Sequence, residues 1–167
     1  MVIINVIKIE RFSTSNGDGL RNVVWVSGCP FKCDGCHNPE TWDKDKGHKS
    51  SDDDYDELTK DFKMNIDILD GITLLGGEPL ASWNVRGLEE WCERFKRDYP
   101  DKSIWCWTGN LYEDVKDLKI MDYIDVLVDG PFIKKLKDAR LVYCGSTNQR
   151  VIDVKKSKKI NKIISYK

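Results

Sequence analysis

The sequence predicts an α/β domain built on a mainly parallel sheet. Three observations lead there: short apolar runs bounded by Gly, Asp or Asn, helical periodicities between the later runs, and the chain length. At 167 residues the chain is about one domain long. The strand-like runs lie at 2–9, 22–27, 72–75, 103–107 and 124–128 and are rich in Val, Ile, Leu or Trp. Most are nearly continuous in apolar character, as parallel strands covered on both faces are.

Helical patterns separate them. Ser51 is placed to cap a helix whose first turn holds Asp52, Asp53 and Asp54, with Tyr55, Leu58 and Phe62 along one face. Ser82 precedes a second pattern, where Val85, Leu88, Trp91, Cys92 and Phe95 fall at helical spacing before Pro100 closes it. Asn110, three residues ahead of Glu113, is expected to open a third helix that buries Leu111, Val115 and Leu118. Alternation of strand and helix implies parallel crossovers. About four such units are too few for a complete eight-fold barrel of roughly 250 residues, so a partial (β/α) barrel or an open sheet is expected. Residues 1–154 are expected to form one domain. Lys155, Lys156, Lys158, Lys159 and Lys162 lie in an acid-free stretch, so 155–167 is expected to be a solvated, mobile tail.

Composition excludes several functions. With 27 Lys+Arg against 28 Asp+Glu and a net charge of -1, a dedicated nucleic-acid binder is not expected. No apolar run approaches the ~20 residues of a membrane span. Residues 1–10 show neither a basic start nor a long apolar stretch with a small-residue cleavage site, so a cytoplasmic protein is expected. Six cysteines there point to metal binding or redox chemistry rather than to a disulfide framework.

Three of the six cluster in Cys29-Pro-Phe-Lys-Cys33-Asp-Gly-Cys36-His37-Asn38, whereas Cys92, Cys106 and Cys144 stand alone. Four readings compete. A structural zinc site usually draws its ligands from two separate pairs, which are not apparent. Haem attachment at Cys33-Asp-Gly-Cys36-His37 normally accompanies export. A dithiol pair at Cys33 and Cys36 leaves Cys29 without a role. An iron–sulfur cluster on three local thiolates leaves one iron open or asks for a distant fourth ligand. Cys92 and Cys106 fall in apolar patterns, where free cysteine acts as a small hydrophobe; Cys144 is less settled.

In an α/β sheet the ligand site lies at the carboxyl ends of the strands. Segments 27–38, 76–80, 108–110 and 129–132 follow the predicted strands and are expected to converge on one rim. The second of them reads Gly76-Gly77-Glu78-Pro79, and glycines after a strand let the backbone approach a ligand closely.

Together, the cysteine spacing and Gly76-Gly77-Glu78-Pro79 resemble the radical S-adenosylmethionine (SAM) superfamily. The resemblance implies a partial barrel of the radical SAM type and a [4Fe–4S] cluster on Cys29, Cys33 and Cys36. The unique iron would be chelated by SAM, with Glu78 accepting from the SAM ammonium. Many members carry an aromatic residue just before the last cysteine, packed on the adenine. Here that position is Gly35, which leaves the adenine contact to the Gly35 backbone, to His37 or to another loop. Asn38, Thr108 and Asp129 are expected on the same rim, Asp129 as a contact to SAM or a cation. A simple turn at Asp129-Gly130-Pro131 is the plainer alternative.

Further segments narrow the likeness: Asn16-Gly17-Asp18-Gly19-Leu20-Arg21, Cys36-His37-Asn38-Pro39-Glu40-Thr41-Trp42 and Trp107-Thr108-Gly109 are similar to the glycyl-radical activating enzymes. Residues 125–132 and Gly145-Ser146-Thr147-Asn148-Gln149-Arg150 are similar to the branch acting on anaerobic ribonucleoside-triphosphate reductase. That likeness implies a reductase partner, an external one-electron reductant such as flavodoxin, and a 5′-deoxyadenosyl radical that takes hydrogen from a glycine of the reductase. No side-chain general acid or base is expected, because the cofactor carries the difficult step. Asn148, Gln149 and Arg150 are candidates for the partner's docking surface. The alternatives are another target, such as pyruvate formate-lyase or 7-carboxy-7-deazaguanine synthesis, and a zinc-stabilised binding module.

Overall fold

The computed structural model describes residues 1–167. Its strands are β1 (Asn5–Ser13), β2 (Arg21–Val26), β3 (His48–Lys49), β4 (Gly71–Gly76), β5 (Ser103–Trp107), β6 (Val126–Asp129) and β7 (Arg150–Asp153). The helices are α1 (Asp52–Thr59), α2 (Val85–Asp98), α3 (Tyr112–Val115) and α4 (Val154–Ile160). All strands join one sheet in the order β3-β1-β2-β4-β5-β6-β7. Its centre, β2-β4-β5-β6, is parallel throughout. β1 and β7 run against their neighbours, and β3 runs against β1, so only β1 and β7 oppose the common direction. The fold is therefore mixed α/β with an open, mostly parallel sheet, the class that the apolar runs predict.

β5 shows why those runs are continuous. Ile104 and Cys106 point into the main core beneath Leu88, Trp91, Cys92 and Phe95 of α2. Trp105 points the other way, into a smaller cluster with Val126, Val128, Trp107, Tyr143 and Tyr166. Alternate residues face opposite sides of a strand, so covering both sides demands apolar residues throughout.

The helix starts differ from expectation. α2 begins after Asn84, not after Ser82, because the buried Asn84 amide donates to the carbonyls of Ser27 (2.9 Å) and Glu78 (3.1 Å). α3 starts at Tyr112 and is a single turn. Its first amide is capped from outside, since Tyr112 N–H donates to Asp129 at 2.8 Å, while Asn110 turns its side chain to Thr108 Oγ1. Leu111 and Leu118 are consequently exposed, and Tyr112, Val115, Ile120 and Met121 fill the core instead.

The basic segment 155–167 also departs from a solvated tail. It carries most of α4, whose cap Asp153 accepts from Lys156 N–H at 3.0 Å, with Val154 and Ser157 buried. Beyond α4, Tyr166 meets Trp105 edge-on at 5.0 Å and donates to Asp18 at 2.9 Å. The lysines hid this packing, because one aromatic residue carries no periodicity. No helix is long and apolar enough to cross a membrane.

Candidate functional site

The four segments that follow β2, β4, β5 and β6 meet around one cavity of about 380 Å³. Cys29, Cys33 and Cys36 line it together with His37, Asn38, Gly76, Gly77, Glu78 and Thr108.

The cysteine loop is closed at its base and tied to the glycine loop. Gly28 N–H donates to Thr41 O at 2.7 Å and Cys29 N–H to Trp42 O at 3.2 Å. Glu78 N–H donates to Gly28 O at 2.8 Å. At Gly77 the approach is so close that a Cβ would stand 2.5 Å from Gly28 O. A side chain there would force the two loops apart, which gives Gly77 a steric reason.

Asn38 N–H donates to Cys36 Sγ at 3.4 Å. Burial pushes the Cys29 thiol up, and the nearby backbone amides of Phe31 and Lys32 pull it back. Backbone N–H groups beside a sulfur suit a thiolate or a sulfide. Trp42 is among the lining residues, and its Nε1, a donor only, is buried without a protein acceptor. All six cysteines are free, and no group of three or more His, Cys, Asp or Glu side chains crowds round one point as a single metal ion requires. A cubane seats its thiolates on separate irons. Three free thiols on one short loop lining one cavity, with a backbone N–H donating to one of them, fit such a cluster.

Glu78 is more deeply committed than a ligand contact alone. It is 1% exposed. Its Oε1 accepts from Thr108 Oγ1 (2.7 Å) and Leu80 N–H (2.9 Å), and its Oε2 from Gly109 N–H (2.8 Å). Burial lifts its carboxyl above the ordinary range, against the pull of those donors. The carboxylate thus binds the loop after β4 to the loop after β5, and still lines the cavity.

Three expected residues stand outside the lining. Pro79 is buried behind Glu78. Gly35 is exposed, in the left-handed region at φ +78°, beside the Phe132 ring. Asp129 is fully buried and occupied: it accepts from Tyr112 N–H and from Arg150, whose Nε lies at 3.0 Å and Nη2 at 2.5 Å. A contact from this carboxylate to SAM or a cation would have to displace that guanidinium. Asn148 and Gln149, candidates for a docking surface, instead donate to Pro131 O at 2.8 Å and Gly130 O at 2.9 Å.

The reading of single residues missed the aromatic wall. Phe31, Trp42, Trp107, Phe132 and Tyr143 all line the cavity. For two of them the signal is position, since Trp107 and Phe132 each stand at or just after the end of a strand.

Residues 15–152 match the family model described as "4Fe-4S single cluster domain". The chain is 40% identical over 136 residues to the "Anaerobic ribonucleoside-triphosphate reductase-activating protein" of Haemophilus influenzae, covering 80% of this chain and 88% of that one. The protein of the same name from Vibrio cholerae is 38% identical over 136 residues, covering 80% and 88%. That of Escherichia coli is 37% identical over 138 residues, covering 81% and 90%. Among solved structures, the crystal structure of QueE from Escherichia coli superposes with a TM-score of 0.49 at 16% identity, over 65% of this chain and 53% of that one.

Proposed function

The chain belongs to the family of anaerobic ribonucleoside-triphosphate reductase-activating proteins, and from that premise we propose that it is a radical SAM activating enzyme, an oxidoreductase of the cytoplasm. Its substrate is an anaerobic ribonucleoside-triphosphate reductase, and its electron comes from an external one-electron donor such as flavodoxin. The observation that carries the proposal is the single cavity joining Cys29, Cys33 and Cys36 to the Gly76-Gly77-Glu78 turn and Thr108. When bound and reduced by one electron, a [4Fe–4S] cluster with SAM supplies a 5′-deoxyadenosyl radical that removes hydrogen from a glycine Cα of the reductase.

The chain's own residues have four tasks. Cys29, Cys33 and Cys36 hold the cluster, with Asn38 N–H donating to the Cys36 sulfur. Gly76 and Gly77 admit the methionyl part of SAM close to the backbone. Glu78 Oε1 accepts two bonds, whereas Oε2 accepts only that of Gly109 N–H and keeps acceptor capacity, which is directed to the SAM ammonium. Trp107, Phe132 and Tyr143 shield the cavity from water.

The test is anaerobic reconstitution with iron and sulfide, followed by dithionite, SAM and a competent reductase. The expected result is 5′-deoxyadenosine together with a doublet electron paramagnetic resonance signal on the reductase. A reductase that other activators charge, but that shows no glycyl signal here, would remove the assignment.

A further inference from the structure

Two stretches singled out in the sequence, 129–132 and 145–150, are bound to each other by side chains that take no part in the cluster or the glycine turn. Asn148 Nδ2 donates to Pro131 O at 2.8 Å, and Gln149 Nε2 to Gly130 O at 2.9 Å. Ser146 Oγ accepts from Ile133 N–H at 3.1 Å and donates to Asn148 Oδ1 at 2.6 Å. Gln149 Oε1 in turn accepts from Gly145 N–H at 2.8 Å and Ser146 N–H at 3.2 Å. Residues on both sides of Phe132 are therefore fixed, and the one residue between them without such a side-chain tie presents an aromatic ring.

The seat of that ring is equally specific. A Cβ on Gly35 would stand 3.3 Å from Phe132 Cε1, and a Cβ on Gly145 would stand 3.0 Å from its Cδ2 and 3.2 Å from its Cε2. Those carbons belong to opposite halves of the ring, so Phe132 packs against two residues without side chains, and a side chain at either would press on it. Phe132 is half-buried and lines the cavity of the three cysteines, with the His37 ring tilted against it at 5.8 Å. Of the other aromatic residues in the lining, Trp107 stacks on Trp105 at 5.7 Å and donates to Tyr143 O, Tyr143 meets Trp105 edge-on at 4.8 Å, and Phe31 packs over Gly109.

A half-buried aromatic ring on the cavity wall, with the backbone on both sides of it fixed, is suited to stack with another planar ring. We propose that Phe132 is the base platform of this site, the surface on which the adenine of a nucleoside ligand stacks. The loop 145–149 acts through it as a positioning segment. The inference rests on the reading of the cavity as a SAM site and assigns one residue to the recognition of its nucleoside half.

The experiment measures binding, not turnover. Equilibrium dialysis of SAM, 5′-deoxyadenosine and methionine is run on the reconstituted wild type, Phe132→Leu and Phe132→Tyr, with iron content and melting temperature recorded for each. Leucine keeps apolar bulk and removes the π face. Base stacking on an aromatic ring is worth enough that Phe132→Leu should weaken SAM and 5′-deoxyadenosine by about tenfold. Methionine binding and iron content should not change, and Phe132→Tyr should bind as the wild type does. Equal binding of both nucleoside ligands by Phe132→Leu and wild type would overturn the proposal, as would a matching loss for methionine. A wild type that binds no SAM would instead defeat the reading of the site, and the proposal with it.

Discussion

Glu78 illustrates how much a single site residue is asked to do. Its carboxylate receives two backbone amides and one hydroxyl from residues on two loops. Glu78→Gln sets an amide NH2 against the fixed N–H of Leu80 or of Gly109, leaving a buried donor unpaired. The expected cost is about 1–3 kcal/mol, seen as a lower denaturation midpoint without any ligand present. An unchanged midpoint would mean that the carboxylate serves the ligand alone. Gly77 gives the steric counterpart. In Gly77→Ala the new methyl meets the Gly28 carbonyl, so a loss of roughly 1–3 kcal/mol is expected together with reduced iron uptake on reconstitution. Iron uptake equal to the wild type would show that the two loops do not depend on this contact. The sequence marks Glu78 as a candidate ligand contact through its place in the Gly76-Gly77-Glu78-Pro79 motif and the resemblance that motif carries. It gives no sign of the structural ties, because Thr108 and Gly109 stand some thirty positions away and nothing local marks them.

At the scale of elements, an ion-pair chain fastens α3 to the β6–β7 edge. Arg150 on β7 binds Asp129 at the end of β6 and Glu113 on α3, whose Oε2 lies 2.7 Å away. Asp129 is fully buried, so Asp129→Asn leaves the guanidinium with Glu113 alone and sets an amide NH2 against Arg150 or the Tyr112 N–H. About 1–3 kcal/mol is expected, read by chemical denaturation. Arg150 also holds the Glu113 carboxyl at about 2, below its ordinary 4.5. A carboxyl depressed in the folded state contributes stability above the unfolded value and loses it as pH falls through the folded one. The Arg11 guanidinium holds Asp61 down, and Lys167 with Tyr166 holds Asp18 down, in the same sense. The melting temperature should therefore decline as pH falls from about 4.5 toward 2, and less steeply in Glu113→Gln. A flat profile, or no difference for the variant, would contradict that ledger of charges. Helix and strand starts were the least legible features at this scale. The α3 cap comes from Asp129 across the sheet, and β3 is two exposed residues with no apolar pattern.

At the scale of the whole molecule, the sheet presents two unlike faces and one working edge. The parallel strands were legible because apolar cover on both sides leaves nearly unbroken runs of Val, Ile, Leu and Trp. The meeting of the cysteine and glycine segments round one cavity was legible because both follow predicted parallel strands, whose carboxyl ends share a rim. The aromatic wall and the return of Tyr166 onto Trp105 were not, since both depend on contacts between distant segments. The central claim is that Cys29, Cys33 and Cys36 alone fasten one cubane to this edge, although Cys144 lines the same cavity. Iron and sulfide analysis of anaerobically reconstituted single Cys→Ala variants tests it most directly. The prediction is about four irons per chain in the wild type, loss in each of Cys29→Ala, Cys33→Ala and Cys36→Ala, and full retention in Cys92→Ala, Cys106→Ala and Cys144→Ala. A colourless wild type, or a cluster that disappears with Cys144, would contradict it.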